Sequence, residues 1–195
     1  GTREMVDGFD APYRLVGIWK PNGGRASACN AGIRAARGEF IVLLDDDMEP
    51  APEMLEEHLR AHQAGERLGV LGAVPIPVDE STPPVVRFVG EKFNRHLERL
   101  AGGAEIRFKS FYSGNFSIRR ELLVEAGMFD ERYRVYGNED TELALRLGEI
   151  GVELRYEPRA LAVQHYDKDF AGLARDNLGK GRTAVVTARK HGQRF

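Results

Sequence analysis

Five apolar residues, Phe40 to Leu44 in FIVLLDDDMEP, run straight into three adjacent carboxylates. A continuous apolar run of this length reads as a strand buried on both faces, not as a half-exposed one. Three like charges at its end repel one another and resist desolvation, so the strand must finish where water or a ligand can reach it. In open α/β sheets that place is the carboxyl edge, where ligands bind. This junction therefore fixes both a sheet and the end of the sheet where chemistry would occur.

The flanking segments fit that frame. Residues 13–18 (YRLVGI) alternate and are rich in β-formers, which predicts a strand. PNGG at 21–24 is a turn, and RASACNAGIRAARG predicts a helix with Ala26, Cys29, Ile33 and Ala36 on one face and Gly38 as its stop. Strand, helix and strand in this length predict a βαβ unit with parallel strands, which makes the strand at 40–44 a central one. APEMLEEHLRAH predicts a second helix with Met54, Leu55, His58 and Leu59 on one side, and LGVLGAVPI a further strand. Residues 77–104 read as irregular, with a helix around 89–100. FYSGNFSI reads as a strand, RRELLVEAG as a short helix, FDERYRVYGNED as a loop, DTELALRLGEIG as a helix, and VELRYEP and ALAVQH as short strands. The tail from 169 to 195 has helical composition and several basic residues.

A chain of 195 residues is enough for one well-cored domain. A net charge of −2 argues against bulk nucleic-acid binding. No apolar run approaches the ~20 residues of a membrane span, and no signal segment opens the sequence. Cys29 is the single cysteine, which excludes intrachain disulfides and cysteine-cluster metal sites and suits a reducing, cytoplasmic setting.

Successive side chains at a strand end point in alternate directions, so Asp45 and Asp47 can converge on one point. Two converging carboxylates suit a hard cation, Mg²⁺ or Mn²⁺. The competing reading is an exposed acidic turn capping the next helix. GNED, residues 137–140, is a second acidic cluster. Taken alone it reads first as a structural helix start, with Asn138 as cap and Glu139, Asp140 and Glu142 favouring the helix dipole. His165 ends a strand and is a candidate metal ligand, or a partly buried surface residue.

PNGGRASACNAGIRAARGEFIVLLDDDMEP, followed by FYSGNFSIRRELLVEAGMFDERYRVYGNEDTELALRLGEIGVELRYEPRALAVQH, closely resembles the family 2 glycosyltransferases of GT-A fold. Several blocks match in order, from residue 1 to about 165. The resemblance implies a Rossmann-like mixed, mainly parallel α/β sheet flanked by helices, and inverting transfer from a nucleotide sugar (UDP-, GDP- or dTDP-linked) to a carbohydrate or lipid-linked acceptor. It implies that Asp45 and Asp47 are the Asp-x-Asp pair, with Asp47 the direct metal ligand and Asp45 or Asp46 near the ribose. Asp140 would be the general base with Glu139 beside it, and His165 would complete the metal or diphosphate site. Asn22, Gly24 and Asn30 would line the nucleotide side, and Gly114 and Asn115 the donor-sugar or acceptor side. Residues 1–75, with the acidic strand end, would form the side that takes a nucleotide and metal, 105–168 the acceptor and catalytic side, and 169–195 a helical tail. The implied setting is the cytoplasm, with room for peripheral association at the inner face of a membrane.

The sequence departs from the family pattern in two places. Relatives open with a VSVVIPTYN-like strand and a second strand ending in DDGSTD, whereas this sequence starts at GTREMVDGF. The expectation is an incomplete view of a longer protein, lacking the edge that holds the nucleobase. Cys29 stands where many relatives carry an arginine. Two other readings compete: a non-catalytic module that keeps the fold without donor binding, and a metal-dependent phosphotransferase or nucleotidyltransferase, which also uses paired aspartates.

Overall fold

A computed structural model describes residues 1–192. After a short helix α1 (Thr2–Asp7), the chain runs α2 (Arg25–Ala35), β1 (Phe40–Leu44), β2 (Met48–Pro50), α3 (Met54–His62), β3 (Leu68–Gly72) and α4 (Pro84–Ala101). It continues with β4 (Asn115–Arg119), α5 (Arg120–Glu125), α6 (Glu139–Glu149), β5 (Glu153–Glu157), β6 (Ala162–Gln164) and α7 (Phe170–His191). Residues 193–195 of the expected helical tail lie outside the described residues.

The main sheet has the order β1-β4-β3-β5. β4 runs antiparallel to both β1 and β3, and β3 runs parallel to β5. Three of the four strands therefore share one direction, in a mixed sheet. β2 and β6 form a separate antiparallel pair, which returns the chain beside the end of β1.

Several local expectations fail, the burial of residues 40–44 on both faces among them: Ile41 is buried, but Leu44 is exposed. Residues 13–18 form no strand, and Tyr13, Leu15, Val16 and Ile18 stand exposed. A strand exists only against a partner ladder, and none of the described residues supplies one. The βαβ unit is consequently absent, and β1 is an edge strand paired antiparallel with β4 alone. The apolar face of α3 also differs. Leu55 and Leu59 are exposed, whereas Met54, His58, Ala61 and His62 are buried. In residues 77–104, read as mostly irregular, α4 begins at Pro84 directly after Pro83; proline is tolerated there because the first helical N–H has no partner to lose.

Alternation along β4 builds the two layers. Phe116 and Ile118 enter a core shared with Ala26 and Ile33 of α2, Leu122 and Leu123 of α5, and Leu143 and Leu147 of α6. Asn115 and Ser117, on the other face, meet His58 and His62 of α3. The Asn115 amide also donates to the carbonyls of Ala73 at 3.1 Å and Ala160 at 2.8 Å, tying three segments together under the strand ends.

Candidate active site

The site is assembled from the end of β1, the start of α2, the residue pair before β4 and the start of α6. α2 is entered through its cap residue Gly24, whose φ of +83° suits glycine, and a Cβ there would lie 2.8 Å from the Arg134 carbonyl oxygen. The Asn22 side chain accepts the Gly24 N–H at 2.9 Å and so shapes the turn into the helix. This places Arg25 at the first helical position. A cation is disfavoured there by the helix dipole and needs carboxylates to hold it.

Arg25 has them. Its Nη2 donates to Asp45 Oδ1 at 2.6 Å, and its Nη1 donates to Asp140 Oδ1 at 2.9 Å and to Ser113 Oγ at 2.8 Å. Glu139 Oε1 lies 3.9 Å from Nη1. Ser113 in turn donates to Asp140 Oδ1 at 2.5 Å. Burial alone would lower the Arg25 guanidinium, but the Asp140 and Asp45 carboxylates outweigh it and hold the group well above its ordinary value. Arg25 and Ser113 escaped the sequence reading. The detectable signal was an arginine opening a helix whose first turn holds no acid.

Asp45 and Asp140 thus meet across one guanidinium. Gly114 backs them: its carbonyl accepts the Asp45 N–H at 3.0 Å, and a Cβ on it would approach Asp45 Oδ2 to 2.9 Å. The pair opens on a cleft of about 400 Å³, walled also by Phe93, Tyr112, Tyr136 and Lys180. Glu139 is buried, and its Oε2 accepts the Gly137 N–H at 2.9 Å. Burial, and then the neighbouring Asp140, push its carboxyl up.

The other sequence-predicted residues are placed as follows. Asp46 is exposed in the turn after β1. Asp47 Oδ2 accepts from Gln164 Nε2 at 2.9 Å, while Oδ1 is buried with no partner. The His165 N–H donates to the Asp47 carbonyl at 2.8 Å, but its ring turns outward to Glu49 Oε2 at 2.8 Å. Among the described residues no group of three acidic, histidine or cysteine side chains is gathered for a metal, so Asp45, Asp47 and His165 do not converge in this conformation. Asn30 is turned away from the cleft. It donates to the Phe129 carbonyl at 2.9 Å and to Glu131 at 3.0 Å, and accepts the Phe129 N–H at 2.9 Å. Together with Arg34 and Ser27, it holds the Glu131 carboxyl down at about 2. Asn115 is likewise spent on structure beneath the site. Asn138 sits at the cap position of α6 with φ of +63°, but its side chain does not cap; it donates to the Lys180 carbonyl and Thr183 Oγ1 of α7.

Residues 1–126 match the model of glycosyl transferase family 2. The chain belongs to glycosyl transferase family 2. YfnE of Bacillus subtilis (strain 168), described as an uncharacterized glycosyltransferase, is 25% identical over 201 residues, covering 80% of this chain and 51% of that protein. The hyaluronan synthase of Pasteurella multocida is 30% identical over 161 residues, covering 68% of this chain and 17% of that one. The chain thus spans about half the length of YfnE and a smaller share of the synthase. Among solved structures, GalNAc-T7 with UDP, GalNAc and Mn²⁺ superposes with a TM-score of 0.55 at 16% identity, over 75% of this chain and 31% of that one. The mannosyltransferase PcManGT from Pyrobaculum calidifontis, in complex with GDP-Man and Mn²⁺, superposes at 0.52 with 19% identity, over 84% of this chain and 44% of that one. These likenesses show the fold of this family 2 chain.

Proposed function

We propose that this chain forms the catalytic part of an inverting glycosyltransferase, one that moves a sugar from a nucleoside-diphosphate sugar to an acceptor hydroxyl in polysaccharide or glycolipid assembly. The observation that carries the reading is the meeting of Asp45 and Asp140 across Arg25 at the cleft of a family 2 chain. One carboxylate belongs to the donor side and the other to the acceptor side, and they are separated by the width of one guanidinium.

The chain's own groups divide the work. Asp140 Oδ1 is held by Ser113 and Arg25, which leaves Oδ2 to take the proton of the acceptor hydroxyl as it attacks. Attack opposite the leaving diphosphate inverts the anomeric carbon. Arg25 is a positive charge held between the two carboxylates, and an incoming diphosphate would compete with them for it. Tyr136, flanked by the Lys168 and Lys180 ammonium groups at 4.9 and 5.2 Å from its ring, adds an apolar face under a cationic rim on the same cleft.

The residues present fit a divalent cation. Asp47 Oδ1 is a buried acceptor without a donor, next to Asp45, and carboxylate oxygens are what Mg²⁺ and Mn²⁺ take. Asp47 and Asp45 would hold it, with His165 adjacent through its main chain. When bound, the cation would neutralise charge developing on the leaving diphosphate. UDP-, GDP- and dTDP-sugars are the donor classes to test, with a carbohydrate or lipid-linked acceptor.

The test is a panel of nucleotide sugars with Mn²⁺, scored by thermal shift and then by calorimetry. A true donor at ~100 Kd stabilises by roughly 2.7 kcal/mol. Asp47→Asn should weaken Mn²⁺ binding at least tenfold, with the melting temperature held or raised because the charge behind an unpartnered carboxylate oxygen is removed. If Asp47→Asn binds Mn²⁺ and nucleotide as the parent does, Asp47 is not the ligand. If no nucleotide sugar shifts the parent, the transfer reading fails.

A further inference from the structure

The outer face of α7 takes no part in the cleft. Its inner face is fixed: Thr183 and Thr187 are buried, Thr187 Oγ1 meets Tyr133 Oη at 2.7 Å, and Lys190 reaches Asp130 at 2.9 Å and Glu142 at 2.5 Å. On the opposite face Arg175, Leu178, Arg182, Val185 and Arg189 follow one another at spacings of three and four, which lays them in one stripe along the helix. All five are exposed, Leu178 at 59% and Val185 at 51%. None of the three arginines has an ion pair or hydrogen bond among the described residues. No carboxylate shares the stripe. The one acid within α7, Asp176, lines the cleft and pairs with Lys168 at 2.5 Å. In a chain of net charge −2, this is a local concentration of positive charge interleaved with apolar side chains.

We propose that this face seats the chain on a bilayer surface rich in anionic phospholipid. Guanidinium groups pair bidentately with lipid phosphates. Leu178 and Val185 enter the headgroup boundary, and the arginine stems lie along it with their charged ends in water. No described helix is long and apolar enough to cross a membrane, so α7 lies on the surface. A second copy of this chain is the poorer occupant, because two such stripes packed together would set arginine against arginine at the positions where partner helices meet. The seat has a functional consequence. Leu173, Asp176 and Lys180 of the same helix line the cleft, so a surface-bound α7 opens that cleft beside the lipid headgroups.

Vesicle sedimentation tests this without any donor or acceptor and stands apart from the transfer reading. The probe is phosphatidylcholine vesicles with and without one-third phosphatidylglycerol. The parent should bind the anionic vesicles, not the neutral ones, and be released as salt shortens the Debye length. At roughly fivefold per basic residue, the triple variant R175E/R182E/R189E should lose more than about 10²-fold in partition. A matched reversal of exposed basic residues on α4, K92E/R95E/R99E, should keep binding within a few-fold. Melting curves check that both triples are folded; R182E alone, expected to lose about tenfold or less, serves if the triple is not. No binding by the parent, equal binding to neutral vesicles, or equal loss in both triples overturns the proposal. Dissociation of a dimer by R175E/R182E/R189E, with no vesicle binding by the parent, assigns the face to a second copy and also overturns it.

Discussion

Asp140→Asn is expected to lower turnover by on the order of 10²-fold or more, about 2.7 kcal/mol of transition-state stabilisation, while donor binding and melting temperature stay close to those of the parent. The geometry makes this substitution unusually clean. Asp140 Oδ1 already accepts from Arg25 Nη1 and Ser113 Oγ, and the amide oxygen of asparagine can accept both. The second position changes from an oxygen open to a proton to an NH₂ group that cannot take one. A purely structural Asp140 predicts the reverse pattern. Asparagine tolerates a helix start, so loss of charge in the first turn of α6 would cost a few tenths to about 1 kcal/mol of stability with turnover preserved. The measurement is steady-state kinetics in the full-length protein beside a thermal melt. Turnover within a few-fold of the parent removes Asp140 as the base. Glu139 would then be tested in the same way, although its burial and the Gly137 N–H on Oε2 give it less freedom to act.

What the sequence disclosed and what it hid follow one physical line. The acidic end of β1, the α2 and α6 helices and the strand at β4 were legible because each depends on local pattern: an apolar run, a helical stripe, a β-rich segment. Strand partnership is not local. The alternation in residues 13–18 is real, but a strand needs a ladder, and β1 took β4 as its antiparallel partner. The central arginine was hidden for the same reason. Its partners Asp45, Ser113 and Asp140 stand 20, 88 and 115 residues away in sequence. The family resemblance places Asn30 and Asn115 at the ligand because of the motif blocks that contain them. Their amides are instead spent on main-chain carbonyls, and they hold the loops and strand ends that carry the site. The misread face of α3 has a different cause. Leucines outrank histidines in any apolar count, but His58, with both ring nitrogens hydrogen-bonded, can be buried at little cost, and His62 follows it with one of its two nitrogens bonded.

That buried histidine pair carries the second large expected effect, a loss of stability on mild acidification. The hydrogen bonds around it run in one direction. The Asn115 amide donates to two carbonyls, so its Oδ1 is an acceptor and takes the proton of His58 Nε2 at 2.8 Å. His58 Nδ1 is then an acceptor and takes the Ser117 hydroxyl proton at 2.8 Å. Ser117 Oγ in turn accepts from His62 Nε2 at 2.9 Å, leaving His62 Nδ1 bare and buried. The chain is complete only with both rings neutral. Charging His62 would put a proton on Nδ1 with nothing to receive it. Burial, then the neighbouring His58 and Arg119, accordingly hold His62 down at about 4, and burial lowers His58 as well. A histidine whose folded value is depressed leaves the unfolded state binding more protons between the two values. Stability is therefore full above about 6.5 and is lost as pH falls from there toward 4. The direction is fixed by burial and by the bare Nδ1, and a domain held by only about 5–15 kcal/mol is sensitive to it. Glu139, with its carboxyl raised, acts with the opposite sign, so the decisive quantity is the difference between parent and variant. His62→Gln keeps a donor toward Ser117 and removes the titration. It should be less stable at pH 7.5 yet show a flatter decline between pH 6.5 and 4.5 in urea unfolding. Parallel curves for the two proteins would show that the pair does not titrate with unfolding. Because Asn115 directly follows Gly114, whose carbonyl holds the Asp45 N–H, the same acid step should loosen the carboxylate end of β1.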